Sequence, residues 1–156
     1  SPVKKEAFDM MVEKSAELGA SHFFPVLCDH TVVPRVNRER LQAISTEAAE
    51  QCERLDVMEV SALLDIESLF ETWSSSRKLI FCVERSEASP IAQVLQKLPH
   101  KSPLAVLVGP EGGFSENEIN RIKAQPFAVP VSLGPRILKA ETALIAALAC
   151  VQQFSE

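Results

Sequence analysis

No apolar run in this chain of 156 residues is long enough to span a membrane. No signal-peptide pattern precedes the first amphipathic stretch, which follows directly on Ser1-Pro2-Val3-Lys4-Lys5. These absences argue against a membrane or secreted protein and lead to the expectation of a cytoplasmic one. Cysteines are few: Cys28, Cys52, Cys82 and Cys150 lie far apart and form no CxxC pair. Such spacing argues against a zinc site and against a disulfide framework. Cys82 and Cys150 sit in apolar runs and read as small core residues. There is no excess of positive charge. The net charge of −5 argues against strong general attraction to nucleic acid. Arg35, Arg38 and Arg40 cluster in sequence, and Arg54, Arg136 and Lys139 can join a local basic patch, although solvated surface is the simpler reading. Gly and Pro are too few for disorder. The opening residue is not Met, which leads to the expectation of an excised or processed segment with a domain before it.

Two nucleotide-binding patterns are also missing. The glycine-rich stretch is not G-x-G-x-x-G with an acidic residue closing a later strand, and no Gly-Lys-Ser/Thr follows its glycines. What stands there is Leu107-Val108-Gly109-Pro110-Glu111-Gly112-Gly113-Phe114-Ser115-Glu116-Asn117-Glu118. Leu104 to Val108 reads as a buried strand. Ser115 and Glu118 have the spacing of a capping box and predict a helix start. Strand, tight loop and helix make the ligand-binding corner of an open α/β sheet. A second corner repeats the plan: a strand over Phe127 to Leu133, the loop Gly134-Pro135-Arg136-Ile137-Leu138-Lys139, and a helix over Ala140 to Phe154. The two loops can line one pocket from two sides. The alternative is a pair of plain turns without a ligand.

The remaining elements alternate. Helices are predicted over Lys4 to Leu18, from an Asn37 cap to about Glu53, over Ile66 to Trp73, and from Pro90 to about Leu98. Strands are predicted over His22 to Leu27, Val57 to Val60 and Lys78 to Glu84. With 46% apolar residues this is one domain with a real core, of α/β class: a mostly parallel sheet with helices on both faces.

Four segments carry a family resemblance: Lys14 to Gly19, Glu47 to Gln51 with Arg54, Gly109 to Phe114, and Leu133 to Ala143. In this order they resemble the C-terminal catalytic domain of the bacterial 16S ribosomal RNA uridine-N3 methyltransferases, of the SPOUT superfamily. The resemblance implies a C-terminal trefoil knot, an exception to the rule against threading. It implies S-adenosylmethionine as methyl donor, no metal, a homodimer with the active site near the subunit interface, and 16S ribosomal RNA of the small subunit as partner. It implies an N-terminal RNA-binding domain before Ser1. Carried onto this sequence, it assigns donor binding to Val83, Leu107, Gly109, Glu111, Gly112, Leu133, Gly134, Ile137 and Leu138. Arg54, Arg136 and Lys139 become the candidate catalytic cations. Three positions depart from the family: Lys139 and His30 stand where arginine is common, and Met58 where proline is frequent. Lysine keeps the charge of arginine but not its planar fork.

Uridine N3 carries a proton at neutral pH, so its methylation needs a base or cations that stabilise the developing anion. No single residue declares itself as the base. Glu111 is a candidate acceptor for a ribose hydroxyl, or else a cap for the helix after Ser115. Glu47 and Gln51 share a helix face, as a functional pair or a surface hydrogen bond. The alternative for Arg54 is an ion pair with a nearby carboxylate. His22, His30 and His100 read as structural or exposed, and Glu141 and Thr142 as helix-opening residues. Two other function classes stay open: an inactive RNA-binding or ribosome-assembly module of the same fold, and a different nucleotide-binding enzyme using the same corners.

Overall fold

A computed structural model describes residues 2–31, 35–83 and 87–155. Helix α1 (Pro2–Glu17) ends where Gly19 adopts φ +81°. The predicted strand over His22 to Leu27 divides into β1 (His22–Phe23) and β2 (Val26–Leu27). Pro25, between them, has no N–H to give to a ladder. Helix α2 (Arg38–Gln51) starts at Asn37, whose side chain accepts from the Arg40 amide at 3.0 Å. Strand β3 (Glu59–Val60) pairs with β1 in parallel. Strand β4 (Leu64–Asp65), which the sequence pattern did not announce, pairs with β2 in parallel. Asp65 then caps α3 (Ile66–Glu71) by accepting from the Ser68 amide at 2.7 Å, and that bond holds its carboxyl below the usual range.

The second half is more regular. Strand β5 (Lys78–Cys82) lies between β6 (Leu104–Leu107) and β7 (Ala128–Val131), and all three are parallel. The intervening helices are α4 (Ile91–Leu95), opened by Pro90, and α5 (Glu116–Lys123). Helix α6 (Ala140–Ser155) closes the described chain. The expected end of the central strand at Glu84 lies outside the described residues.

Alternation along β5 explains the layers. Leu79 and Phe81 pack with Ile66, Ile122 and Phe127 on the side of α3 and α5. Ile80 packs with Ile91, Leu95, Val131 and Ala147 on the side of α4 and α6. Successive strand residues point to opposite faces, so one strand feeds two cores and carries helices on both faces. Each fully buried Ile80 or Phe81 contributes about 1.5–3 kcal/mol through burial. A third core joins Val12 and Ala16 of α1, Leu41 and Ala48 of α2, Phe23, Val60 and Leu144. The expected single sheet is thus realised as parallel strands in three hydrogen-bonded sets among the described residues. A cleft of about 990 Å³ lies between the β1–β2 segment and β6.

Candidate active site

The turns after β6 and β7 stand on either side of the end of β5. Together they enclose a cavity of about 510 Å³. Its floor is Cys82 and Val83, one wall is Val108 to Glu111, the other is Ser132 to Lys139, and α6 adds Ala140 and Ala143. This is the C-terminal end of a parallel sheet, where open α/β folds bind ligands, and the volume suits a small organic molecule. Burial pushes the Cys82 thiol up to about 12, so the floor is uncharged at neutral pH.

The two walls are built differently. The first is packed from within. Gly113, at φ +71°, donates to Pro110 O at 2.8 Å and closes the turn. A Cβ at Gly109 would stand 3.0 Å from the Phe114 ring, and that ring meets Phe81 edge-on with centroids 5.0 Å apart. The expected capping box forms: Glu118 N–H donates to Ser115 Oγ at 3.2 Å, and Ser115 N–H donates to Glu118 Oε2 at 2.8 Å. Glu118 Oε1 accepts in addition from the Asp29 amide at 2.9 Å, and Ser115 Oγ donates to Asp29 Oδ2 at 2.6 Å. Burial, then the Glu118 carboxylate, pushes the neighbouring Cys28 thiol up to about 12. The second wall is tied at its base, where Ser132 N–H donates to Ser89 O at 3.0 Å and Ser132 O accepts from the Ile91 amide at 3.1 Å, and has fewer ties beyond it. Gly134 sits at φ +109° and donates to Ser132 Oγ at 3.2 Å, and Ala143 N–H donates to Lys139 O at 2.8 Å as α6 begins. Pro135, Arg136, Ile137 and Lys139 are exposed. Among the described residues, neither Arg136 nor Lys139 has a carboxylate within ion-pair distance.

Val83, Gly109, Glu111, Leu133, Gly134, Ile137 and Leu138 all line the cavity, and so do Arg136 and Lys139. Leu107 is buried at the end of β6, in the core with Phe81. Gly112 lies against His30, where a Cβ would come within 2.9 Å of the His30 Cβ. Arg54 lies apart from the cavity. Its Nη1 donates to Ala16 O at 2.5 Å and Ala20 O at 2.9 Å. Its Nε and Nη2 donate to Asp56 at 3.2 and 2.8 Å, which holds the Asp56 carboxyl below its usual range. The ion-pair alternative is the arrangement found for Arg54, which ties the end of α2 to the turn after α1. Glu47 and Gln51 stand exposed on α2. The helix cap after Ser115 is Glu118, and Glu111 stays exposed at the cavity lip.

Sequence reasoning read His30 as structural or exposed and gave Asp29 no part in the site. His30 Nδ1 lies 3.1 Å from both Gly112 O and Gly113 O. The capping box was visible in the spacing of Ser115 and Glu118. Its attachment to Asp29, 89 positions from Glu118, had no local signal. Among the described residues no three His, Cys, Asp or Glu side chains gather as a metal site needs, and no helix is long and apolar enough to cross a membrane.

The site is a cavity between two turns at the strand ends, with two cations that have no ion-pair partner among the described residues. A family model described as an RNA methyltransferase domain matches residues 1–152. The chain belongs to the RNA methyltransferase domain family. Ribosomal RNA small subunit methyltransferase E of Bacillus subtilis is 33% identical over 98% of this chain and 63% of its own length. The protein of the same name from Synechocystis is 37% identical over 98% of this chain and 51% of its own length. The chain therefore spans between about half and two thirds of these relatives. Among solved structures, ribosomal RNA small subunit methyltransferase E from Neisseria gonorrhoeae bound to S-adenosyl methionine superposes with a TM-score of 0.84. It is 28% identical, over 95% of this chain and 61% of that one.

Proposed function

We propose that this family member binds S-adenosylmethionine in the cavity between the two glycine corners and methylates N3 of a uridine in 16S ribosomal RNA of the small subunit. The observation that carries the reading is the convergence of Val83, Gly109, Glu111, Leu133, Gly134, Ile137 and Leu138 on one cavity of about 510 Å³ beside Arg136 and Lys139. Apolar walls with a few polar groups suit an adenosine-sized ligand. When bound, the donor supplies a methyl group activated by its sulfonium centre. Main-chain groups of Gly109 and Leu133 would hold the adenine and ribose edges, and Glu111 would accept from a ribose hydroxyl. Leu107 supports the corner from the core side. Gly112 acts by keeping the turn compact.

Transfer forms the N3–methyl bond as the sulfur–methyl bond of the donor breaks, with S-adenosylhomocysteine as the leaving group, and the N3 proton passes to solvent. Arg136 and Lys139 stabilise the anion that develops at N3, since neither is neutralised by a neighbouring carboxylate among the described residues. We assign Arg54 to holding the α1–α2 end of the domain, because its donors are taken up by Ala16, Ala20 and Asp56.

The same reading makes the fold a C-terminal trefoil knot. It is supported by the path of α6, which follows the second corner and packs on α1, α4 and β6. It makes the working form a cytoplasmic homodimer, with the RNA-binding domain of the full protein completing the substrate site. Calorimetric titration with S-adenosylmethionine, with NAD and ATP as controls, tests the donor. Selective, saturable binding is the expected result. Binding of NAD or ATP in preference contradicts the reading.

A further inference from the structure

His30 belongs to a loop that sequence reasoning left without a role, yet three of its features point at the first glycine corner. Its Nδ1 lies 3.1 Å from Gly112 O and 3.1 Å from Gly113 O. Both partners are carbonyl oxygens, which only accept, so Nδ1 carries the proton and donates to the pair. Its Cβ fills the space that a side chain at Gly112 would need, at 2.9 Å from the ideal Cβ position. The residue before it is tied to the same corner, through the Asp29 amide to Glu118 and the Asp29 carboxylate to Ser115.

The turn has two sides. Gly109, Pro110 and Glu111 line the cavity, and Gly112 and Gly113, which do not, present their carbonyls to His30. Two successive carbonyls aimed at one donor fix the peptide planes that follow Glu111. A turn closed by a single bond, Gly113 N–H to Pro110 O at 2.8 Å, has other arrangements open to it without that donor. We propose that His30 is a positioning residue for the methyl donor: it holds the Pro110–Gly113 turn in the shape that presents Gly109 and Glu111 to the cavity. His30 acts through the turn and touches no reacting atom. The inference rests on the donor-binding reading above. Its physical content is preorganisation, in which the loop is ordered before the ligand arrives and the ligand does not bear that ordering cost.

The test is S-adenosylmethionine affinity, measured by calorimetry on the chain and on His30→Ala, His30→Leu and His30→Asn. Asparagine places an amide donor near the position of Nδ1, leucine keeps bulk without a donor, and alanine keeps neither. Melting curves establish that each variant is folded, and leucine carries the test if alanine does not fold. The expected result is a Kd about three- to tenfold weaker for the alanine and leucine variants, with asparagine restoring most of the loss. Amide exchange at Gly112 and Gly113 without donor is expected to speed up in the same two variants and to slow again with asparagine. A fall in general stability alone would not follow the presence of a donor at this position. Unchanged affinity in His30→Ala and His30→Leu, or no rescue by asparagine, overturns the inference and leaves donor binding standing. No binding by the unsubstituted chain overturns the donor reading itself, and this inference with it.

Discussion

The two glycine corners end the strands that flank β5 and face one cavity, yet they are held in opposite ways. The corner after β6 is fastened on every side: Phe114 to Phe81 beneath, Glu118 and Ser115 to Asp29, and His30 to its carbonyls. The corner after β7 is anchored at Ser132, at Gly134 and at the start of α6, and between Gly134 and α6 the side chains of Pro135, Arg136, Ile137 and Lys139 are exposed while Leu138 is half-buried. The first is a fixed wall. The second carries the charges that the proposed chemistry needs, Arg136 and Lys139, on the less constrained side. Such a division fits the proposed pocket, in which a donor and an RNA base would meet. One wall is held by cross-chain bonds, and the other presents exposed, charged side chains to the cavity.

The comparison can be broken first at the charged corner. Arg136→Ala and Lys139→Ala, made in the full-length enzyme, are expected to lower methyl transfer by about a hundred- to a thousandfold each. Melting temperature should hardly change, because both side chains are exposed and unpaired among the described residues. Single-turnover methylation of unmodified small subunits measures the first effect. Normal rates in both variants would remove the charges from the account. The braced corner should show the reverse pattern. Glu118→Ala strips acceptors from the Asp29 and Ser115 amides and is expected to lower stability by about 1–3 kcal/mol in denaturant unfolding. A loss well below that would mean that Glu118 is not the brace.

Gly112→Ala and Gly134→Ala sharpen the contrast further. At Gly112 the added methyl meets the His30 Cβ, so the turn and the loop must separate. Donor affinity is expected to weaken at least as much as in His30→Ala. At Gly134 nothing lies within 4 Å, so the cost comes from φ +109° alone, about 1–3 kcal/mol of stability. Equal effects of the two substitutions on donor affinity would erase the distinction between the walls.

The last effect is a pH dependence confined to alkaline conditions. Cys28 lies beneath the first corner and Cys82 floors the cavity, and both thiols are raised from 9.0 to about 12. A raised folded value means that the native state keeps its proton longer than the unfolded chain. Their contribution is fully present below the unfolded value near 9 and is lost as pH rises toward 12. Unfolding free energy should therefore decline across that window, and Cys28→Ser with Cys82→Ser should flatten the decline. A double variant with the same slope would assign the effect elsewhere.

Much of this molecule is written locally. The capping box at Ser115 and Glu118, the Asn37 cap and the continuous apolar strands all follow from local pattern, and each of these elements forms near its predicted place. The interruption at Pro25 was also local, since proline has no amide to donate, but the apolar run from His22 to Leu27 masked it. Strand β4 was hidden because two residues give no periodicity, and its pairing with β2 lies in the fold. The site divides in the same way. The glycine corners were legible because strand, loop and helix are contiguous. The bracing from Asp29 and His30 was not, because it joins residues more than eighty positions apart. Arg54 shows the opposite difficulty. A cation in a family-like segment reads as functional, and only its bonds to Ala16, Ala20 and Asp56 reveal how occupied it is.

The central claim is that the cavity between the corners is the donor site. Ala143 on α6 lines that cavity, so Ala143→Phe fills it from the helix side while both corners keep their residues. The decisive measurement is calorimetric titration of S-adenosylmethionine into the chain and into this variant, each with its melting curve. Saturable binding to the chain and its loss in a folded Ala143→Phe are expected. Undiminished binding by that folded variant would contradict it.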